Sequence, residues 1–145
     1  MAVVTVKSLN KLTMLVTSEQ HGIVADEPHD AGDDLGMDPY ELLLASLGAC
    51  TAMTLRLYAN RKEWPLEEVT IELSHERVHP DDCTDCEERP DGFVDVIRRY
   101  IVLKGPLTEE QKTRLGDIAA KCPVHKTLMN KPLILDETDL VVTAG

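Results

Sequence analysis

Over the first 26 residues, short apolar runs alternate with polar positions. VVTVKS, KLTMLVTS and GIVAD are rich in β-branched side chains and are broken near Asn10 and at His21-Gly22. Period-two alternation bounded by turn residues predicts a three-strand meander. Glu27 to Asp38 is acidic and carries Pro28, Gly32 and Gly36, which predicts a loop leading into a helix. Asp38 suits the N-cap, Pro39 the first helical position, and Glu41 the first turn, where a carboxylate complements the macrodipole. The helix is predicted to run to about Glu63, where Trp64-Pro65 stops it. From Leu42 to Met53 nearly every position is apolar or small, so this helix is expected to be enclosed on most sides as the central core element.

Val69, Ile71 and Leu73 alternate with Thr70, Glu72 and Ser74, a half-buried strand pattern that extends toward Val78. Phe93 to Leu103 repeats it and is expected to pair with the first run across the polar loop from His79 to Gly92. Thr108 and Gln111 form a capping-box signature after Pro106, and the helix they open puts Leu115, Ile118, Ala119 and Cys122 on one face. Pro123 ends that helix and suits the first position of a short new one from Val124 to Met129, with Cys122 at its N-cap. Leu133–Leu135 and Leu140–Thr143 are predicted as final strands. The order of elements is α+β, within a single domain spanning residues 1–145.

Composition narrows the function. One Phe, one Trp and three Tyr give few surfaces on which bases or sugars could stack. A formal charge of −11 repels phosphate backbones and anionic lipid, so neither nucleic acid nor membrane is expected as a partner. Met1 to Val6 lacks a basic segment followed by a long apolar one, and the chain reads as soluble and cytoplasmic. Gly32, Gly36 and Gly48 fall in no dinucleotide or P-loop spacing, so no nucleotide cofactor is implied.

Four cysteines without a secretion signal favour thiols, metal ligands or a transient disulfide over permanent cross-links. Cys50 lies in ELLLASLGACTAMTL, flanked by small residues that leave room for a substrate or a second sulfur. Cys122 lies in AAKCPVHKTL at a predicted helix start, with Lys121, His125 and Lys126 close by, the setting that lowers a thiol pKa. His125 is placed to act as proton donor or base for Cys122, or simply as a polar residue on an exposed helix. On residue type and spacing alone, Cys50 reads equally as a small buried hydrophobe and Cys122 as an inert cap.

The stretch GDDLGMDPYELLLASLGACTAMTLRLYANRKEWPLEEVTIEL, followed by KCPVHKTL, resembles the OsmC/Ohr family of osmotically induced and organic-hydroperoxide-resistance proteins, most closely its less characterised branch with ELLLASLG-type helices. The resemblance implies an OsmC-like fold: an intertwined homodimer with an N-terminal β-meander, a long buried central helix, antiparallel strands and a second helix. It also implies a thiol peroxidase acting on small hydrophobic hydroperoxides. Cys50 would attack the peroxide, Cys122 would resolve the sulfenate as a disulfide, and an external dithiol would restore both, with no cofactor required. Peroxidatic members carry a glutamate ten residues before the reactive cysteine and an arginine in the N-terminal strands. Here Tyr40 takes the first place, and Met1 to Leu55 contains no arginine. Glu41, about 100° further round the helix, is the candidate acid, and Arg56, Lys7 and Lys11 are the candidate cations.

A second cluster, HERVHPDDCTDCEERPDG, places His75, His79, Cys83 and Cys86 at spacings of four, four and three. These are ligand types that Zn²⁺ takes in tetrahedral sites. His75 and His79 on one extended strand would be roughly 13 Å apart, so His79, Cys83 and Cys86 are the more compact set. A zinc site, a local or reversible disulfide and an ordinary polar loop all remain open for it. The alternative function places that loop in a non-enzymatic stress or binding protein of the same family.

Overall fold

The first three strands, β1 (Thr5–Ser8), β2 (Met14–Thr17) and β3 (Gly22–Ala25), form an antiparallel sheet in chain order, as the alternation predicts. They belong to a computed structural model that describes residues 1–83 and 92–136. Asp26 fastens the end of this sheet to the following loop. Its carboxylate accepts hydrogen bonds from the Thr13 hydroxyl at 2.9 Å and from the backbone N–H groups of Glu27 and Leu35. Burial works to raise its pKa, but these donors outweigh burial and hold it below the ordinary carboxylate value.

Helix α1 (Pro39–Arg61) begins at the N-cap Asp38 with a complete capping box. The Asp38 side chain accepts the Glu41 N–H at 2.8 Å, and the Glu41 carboxylate accepts the Asp38 N–H at 2.9 Å. The helix is not enclosed on most sides. Within the chain only Leu47, Gly48, Thr51, Leu55 and Ala59 are buried, essentially one stripe at four-residue spacing, while Met53 and Leu57 stand 64% and 70% exposed. Apolar composition marks a surface that needs cover, and one chain supplies cover to one face only.

That face packs on a two-stranded antiparallel ribbon of β4 (Glu68–Val78) and β5 (Val94–Lys104), paired without interruption from Glu68↔Lys104 to Val78↔Val94. Residues opposite one another share a face of the ribbon. The inward series is therefore Val69 with Leu103, Ile71 with Ile101, Leu73 with Arg99, and His75 with Ile97. Gly48 lets the ribbon approach α1, since a Cβ there would lie 2.6 Å from Leu73 Cδ1.

Helix α2 (Glu109–Ala119) opens with the expected Thr108/Gln111 capping box and closes the core over α1. Leu55, Ala59, Leu66, Leu115, Ile118 and Ala119 form the central cluster. Full burial of Leu55 and Leu115 contributes about 1.5–3 kcal/mol each. Helix α3 (Pro123–Met129) follows with Cys122 as its N-cap. The strand expected at Leu133–Leu135 is not formed: the segment is exposed and irregular, and no described strand pairs with it. The one expected at Leu140–Thr143 lies outside the described residues. Among the described residues, α1 alone has the length and apolar composition of a membrane span; its buried face is committed to the ribbon, α2 and α3.

Candidate active site

Where α3 meets the middle of α1, the free thiols of Cys50 and Cys122 lie close enough to interact electrostatically with one another. Local sequence explains the placement of Cys122. Pro123 has no N–H, so the sulfur at the N-cap accepts from the next part of the α3 first turn, where the His125 N–H lies at 3.4 Å. Cys122 is fully buried, whereas Cys50 is half-buried on α1. The two sulfurs differ electrostatically. Burial first, then the hydrogen bond with Cys122, pushes Cys50 above the ordinary thiol value. Burial acts on Cys122 in the same direction, but hydrogen bonds from Cys50, the His125 and Val124 N–H groups and Thr51 outweigh it and hold Cys122 below that value.

A cation outside the set expected from sequence stands behind the pair. Arg99, from the inward phase of β5, donates through Nη1 to the Thr51 hydroxyl at 2.9 Å and to the Ala119 carbonyl at 3.2 Å, and its Nη2 lies 3.1 Å from His125 Nδ1. Guanidinium only donates, so His125 accepts at Nδ1 and carries its proton on Nε2. Burial, and then the Arg99 charge, lower the His125 pKa and keep it neutral. Thr51, fully buried, donates its own hydroxyl hydrogen bond to the Leu47 carbonyl at 2.7 Å. The signal for Arg99 was present in the chain: it interrupts the apolar phase of Ile97, Ile101 and Leu103, and a charge in the inward phase of a half-buried strand asks for a partner.

With this geometry in view, the comparisons assign the fold family. The family model described as OsmC-like protein matches residues 32–135, a span that contains both thiols. The chain belongs to that family. The OsmC like protein from Mycoplasma pneumoniae superposes with a TM-score of 0.73 at 24% identity, over 90% of this chain and 89% of that one. The organic hydroperoxide resistance protein OhrB of Bacillus subtilis superposes with a TM-score of 0.61 at 20% identity, covering 90% of this chain and 92% of that one. An organic hydroperoxide resistance protein OsmC from Legionella pneumophila gives 0.64 at 17% identity over 90% of each chain. At these identities the likeness establishes the OsmC-like α+β fold. No curated protein sequence matches the chain.

Against this OsmC-like frame, the remaining predicted residues fall elsewhere. Glu41 is not brought to the thiols within the chain: its carboxylate is engaged in the α1 capping box, about two and a half turns from Cys50. Tyr40 stacks on His75 with ring centroids 4.4 Å apart, and His75 Nε2 lies 2.9 Å from Asp95, so this histidine is partnered away from any loop site. Arg56 does not face the thiols either, because its guanidinium donates to the carbonyls of Leu66 and Glu67 at the far end of α1. Lys11 pairs with Asp33 at 2.9 Å, and Lys7 is exposed on β1.

For the zinc set, His79 Nδ1 accepts the Asp81 N–H at 3.3 Å, Cys83 is disulfide-bonded and thus not a free thiolate, and Cys86 lies outside the described residues. Among the described residues, no three His, Cys, Asp or Glu side chains converge as metal ligands. A cleft of about 730 Å³ lies at the C-terminal end of α1 between Tyr58, Trp64 and Arg114 and includes neither thiol.

Proposed function

We propose that this OsmC-like protein reduces organic hydroperoxides with the Cys50/Cys122 pair. The observation that carries the reading is the juxtaposition of two free, mutually interacting thiols drawn from segments 72 residues apart in sequence (122 − 50), one half-exposed and one sealed. Cys50 offers the accessible sulfur. It attacks the distal oxygen of the hydroperoxide, the S–O bond forms as the O–O bond breaks, and the alcohol departs with the thiol proton. Cys122 then attacks the Cys50 sulfenic acid, forming the S–S bond and releasing hydroxide, which solvent protonates to water. An external dithiol supplies the two electrons and two protons that reopen the disulfide. The names carried by the Bacillus subtilis and Legionella pneumophila relatives support hydroperoxides as the substrate class.

The working unit in this proposal is a homodimer. The exposed face of α1 and the apolar side chains of the first sheet, including Val4, Val6 and Ile23, need cover that the single chain does not give. Cumene hydroperoxide with dithiothreitol as reductant tests the activity. Wild-type protein is expected to consume the peroxide and to gain a Cys50–Cys122 disulfide by mass spectrometry, and Cys50→Ser is expected to lose at least a hundredfold in rate. Equal rates for the two proteins, or no consumption by the wild type, would overturn the reading.

A further inference from the structure

We propose that Arg99 is the positioning residue that fixes the negative charge of the reduced thiol pair on Cys122, so that the resolving sulfur is a thiolate before any peroxide arrives. The proposal deepens the peroxidase reading and rests on it only for the second of its two tests.

The argument begins with an uncompensated charge. Arg99 is half-buried, and its three recorded partners are a hydroxyl, a carbonyl and a neutral imidazole. Among the described residues no carboxylate forms an ion pair with it, although carboxylates outnumber cations in this chain by 26 to 15. A guanidinium withdrawn from water without a counter-ion is costly. The titratable or charged groups gathered here are Cys50 from α1, Arg99 from β5, Cys122 at the N-cap, and His125 from α3. His125 accepts a hydrogen bond from Arg99 and cannot supply negative charge, which leaves the two thiols.

Geometry chooses between them. Arg99 reaches Cys122 through two relays. Thr51 accepts from Arg99 and donates to the Cys122 sulfur when its hydroxyl turns from the Leu47 carbonyl, and His125, oriented by Arg99 through its ring, donates its backbone N–H to the same sulfur. Cys50 shares neither relay. Its proton is the one lying along the thiol–thiol hydrogen bond, with Cys122 as acceptor. In the catalytic sequence the Cys50 proton leaves with the alcohol, Cys122 remains charged, and its attack on the sulfenic acid needs no further deprotonation.

Ultraviolet thiolate absorbance against pH tests this without any peroxide. In a Cys50→Ser background, which retains a hydroxyl donor, Cys122 is expected to ionise below the ordinary cysteine value. Adding Arg99→Met should lower the fraction of thiolate at a given pH about tenfold, a shift of roughly one pH unit. Arg99→Lys should restore most of it. Thr51→Val keeps the guanidinium and the side-chain volume while cutting one relay, and it should shift the titration in the same direction. This second variant decides the matter if Arg99→Met does not fold. An unchanged titration in the folded variants, or a low-titrating Cys50 in Cys122→Ser, overturns the proposal.

With hydroperoxide added, Arg99→Met should accumulate dimedone-trapped Cys50 sulfenate, with disulfide formation slowed about tenfold, while Arg99→Lys should not. If the titration shifts but no variant consumes peroxide, the charge placement stands and the peroxidase reading fails. If peroxide is consumed with an unshifted titration, the reverse holds.

Discussion

His125 shows how one side chain carries the electrostatics of its neighbours. Burial and the Arg99 guanidinium hold its folded-state pKa below the ordinary imidazole value of 6.5, whereas the unfolded chain titrates near that ordinary value. As pH falls through about 6.5, the unfolded state therefore binds the proton first, and stability that is complete above this value is lost progressively down to the lowered folded-state value. Urea midpoints measured across mildly acid pH should decline in the wild type, and His125→Gln should remove this component of the decline. Retention of the full pH dependence in the variant would show that the imidazole is not the titrating group. The same side chain was legible in the sequence only as a neighbour of Cys122. Its link to Arg99 spans 26 residues and depends on strand register, which no local pattern carries.

At the scale of elements, much of what adjacent residues encode was legible. The Asp38 N-cap, the Thr108/Gln111 capping box, the proline at the first position of α1 and of α3, and the alternating phase of β4 and β5 are local statements, and these elements form where their patterns place them, while the reciprocal Glu41 bond in the α1 cap and the missing strand at Leu133–Leu135 were not legible. The enclosure of α1 was overstated because apolar content records what a helix needs and not what one chain provides. Local sequence offers Lys7, Lys11 and Arg56 as cations, while antiparallel pairing sets Arg99 opposite Leu73 and so behind the thiols. One loop position also binds elements together. Gly105 leaves β5 at φ +141°, and a Cβ there would lie 2.1 Å from the Pro65 carbonyl oxygen. Gly105→Ala is expected to destabilise the fold by at least about 1–3 kcal/mol from backbone conformation alone, read as a lowered urea midpoint, with the thiol pair still forming where the variant folds. A midpoint within error of wild type would show that the loop relaxes around the added methyl.

For the whole molecule, the asymmetry of α1 predicts assembly. Leu57 is 70% exposed on the face opposite the core stripe, so Leu57→Glu is expected to leave the fold of the chain intact and to shift sedimentation from twice 16.1 kDa to 16.1 kDa. An unchanged sedimentation profile would place the interface elsewhere. The sealed position of Cys122 also bears on damage. A sulfur with no exposed surface is reached by a bulky hydroperoxide only if the chain opens, whereas in the proposed cycle a sulfenic acid on Cys50 already lies beside it. Over-oxidation to sulfinic acid needs a second peroxide to meet Cys50 before its neighbour does. Depth in the fold thus gives Cys122 a reserve of reducing power that the oxidant cannot exhaust directly, and the protection is one of access rather than of reactivity.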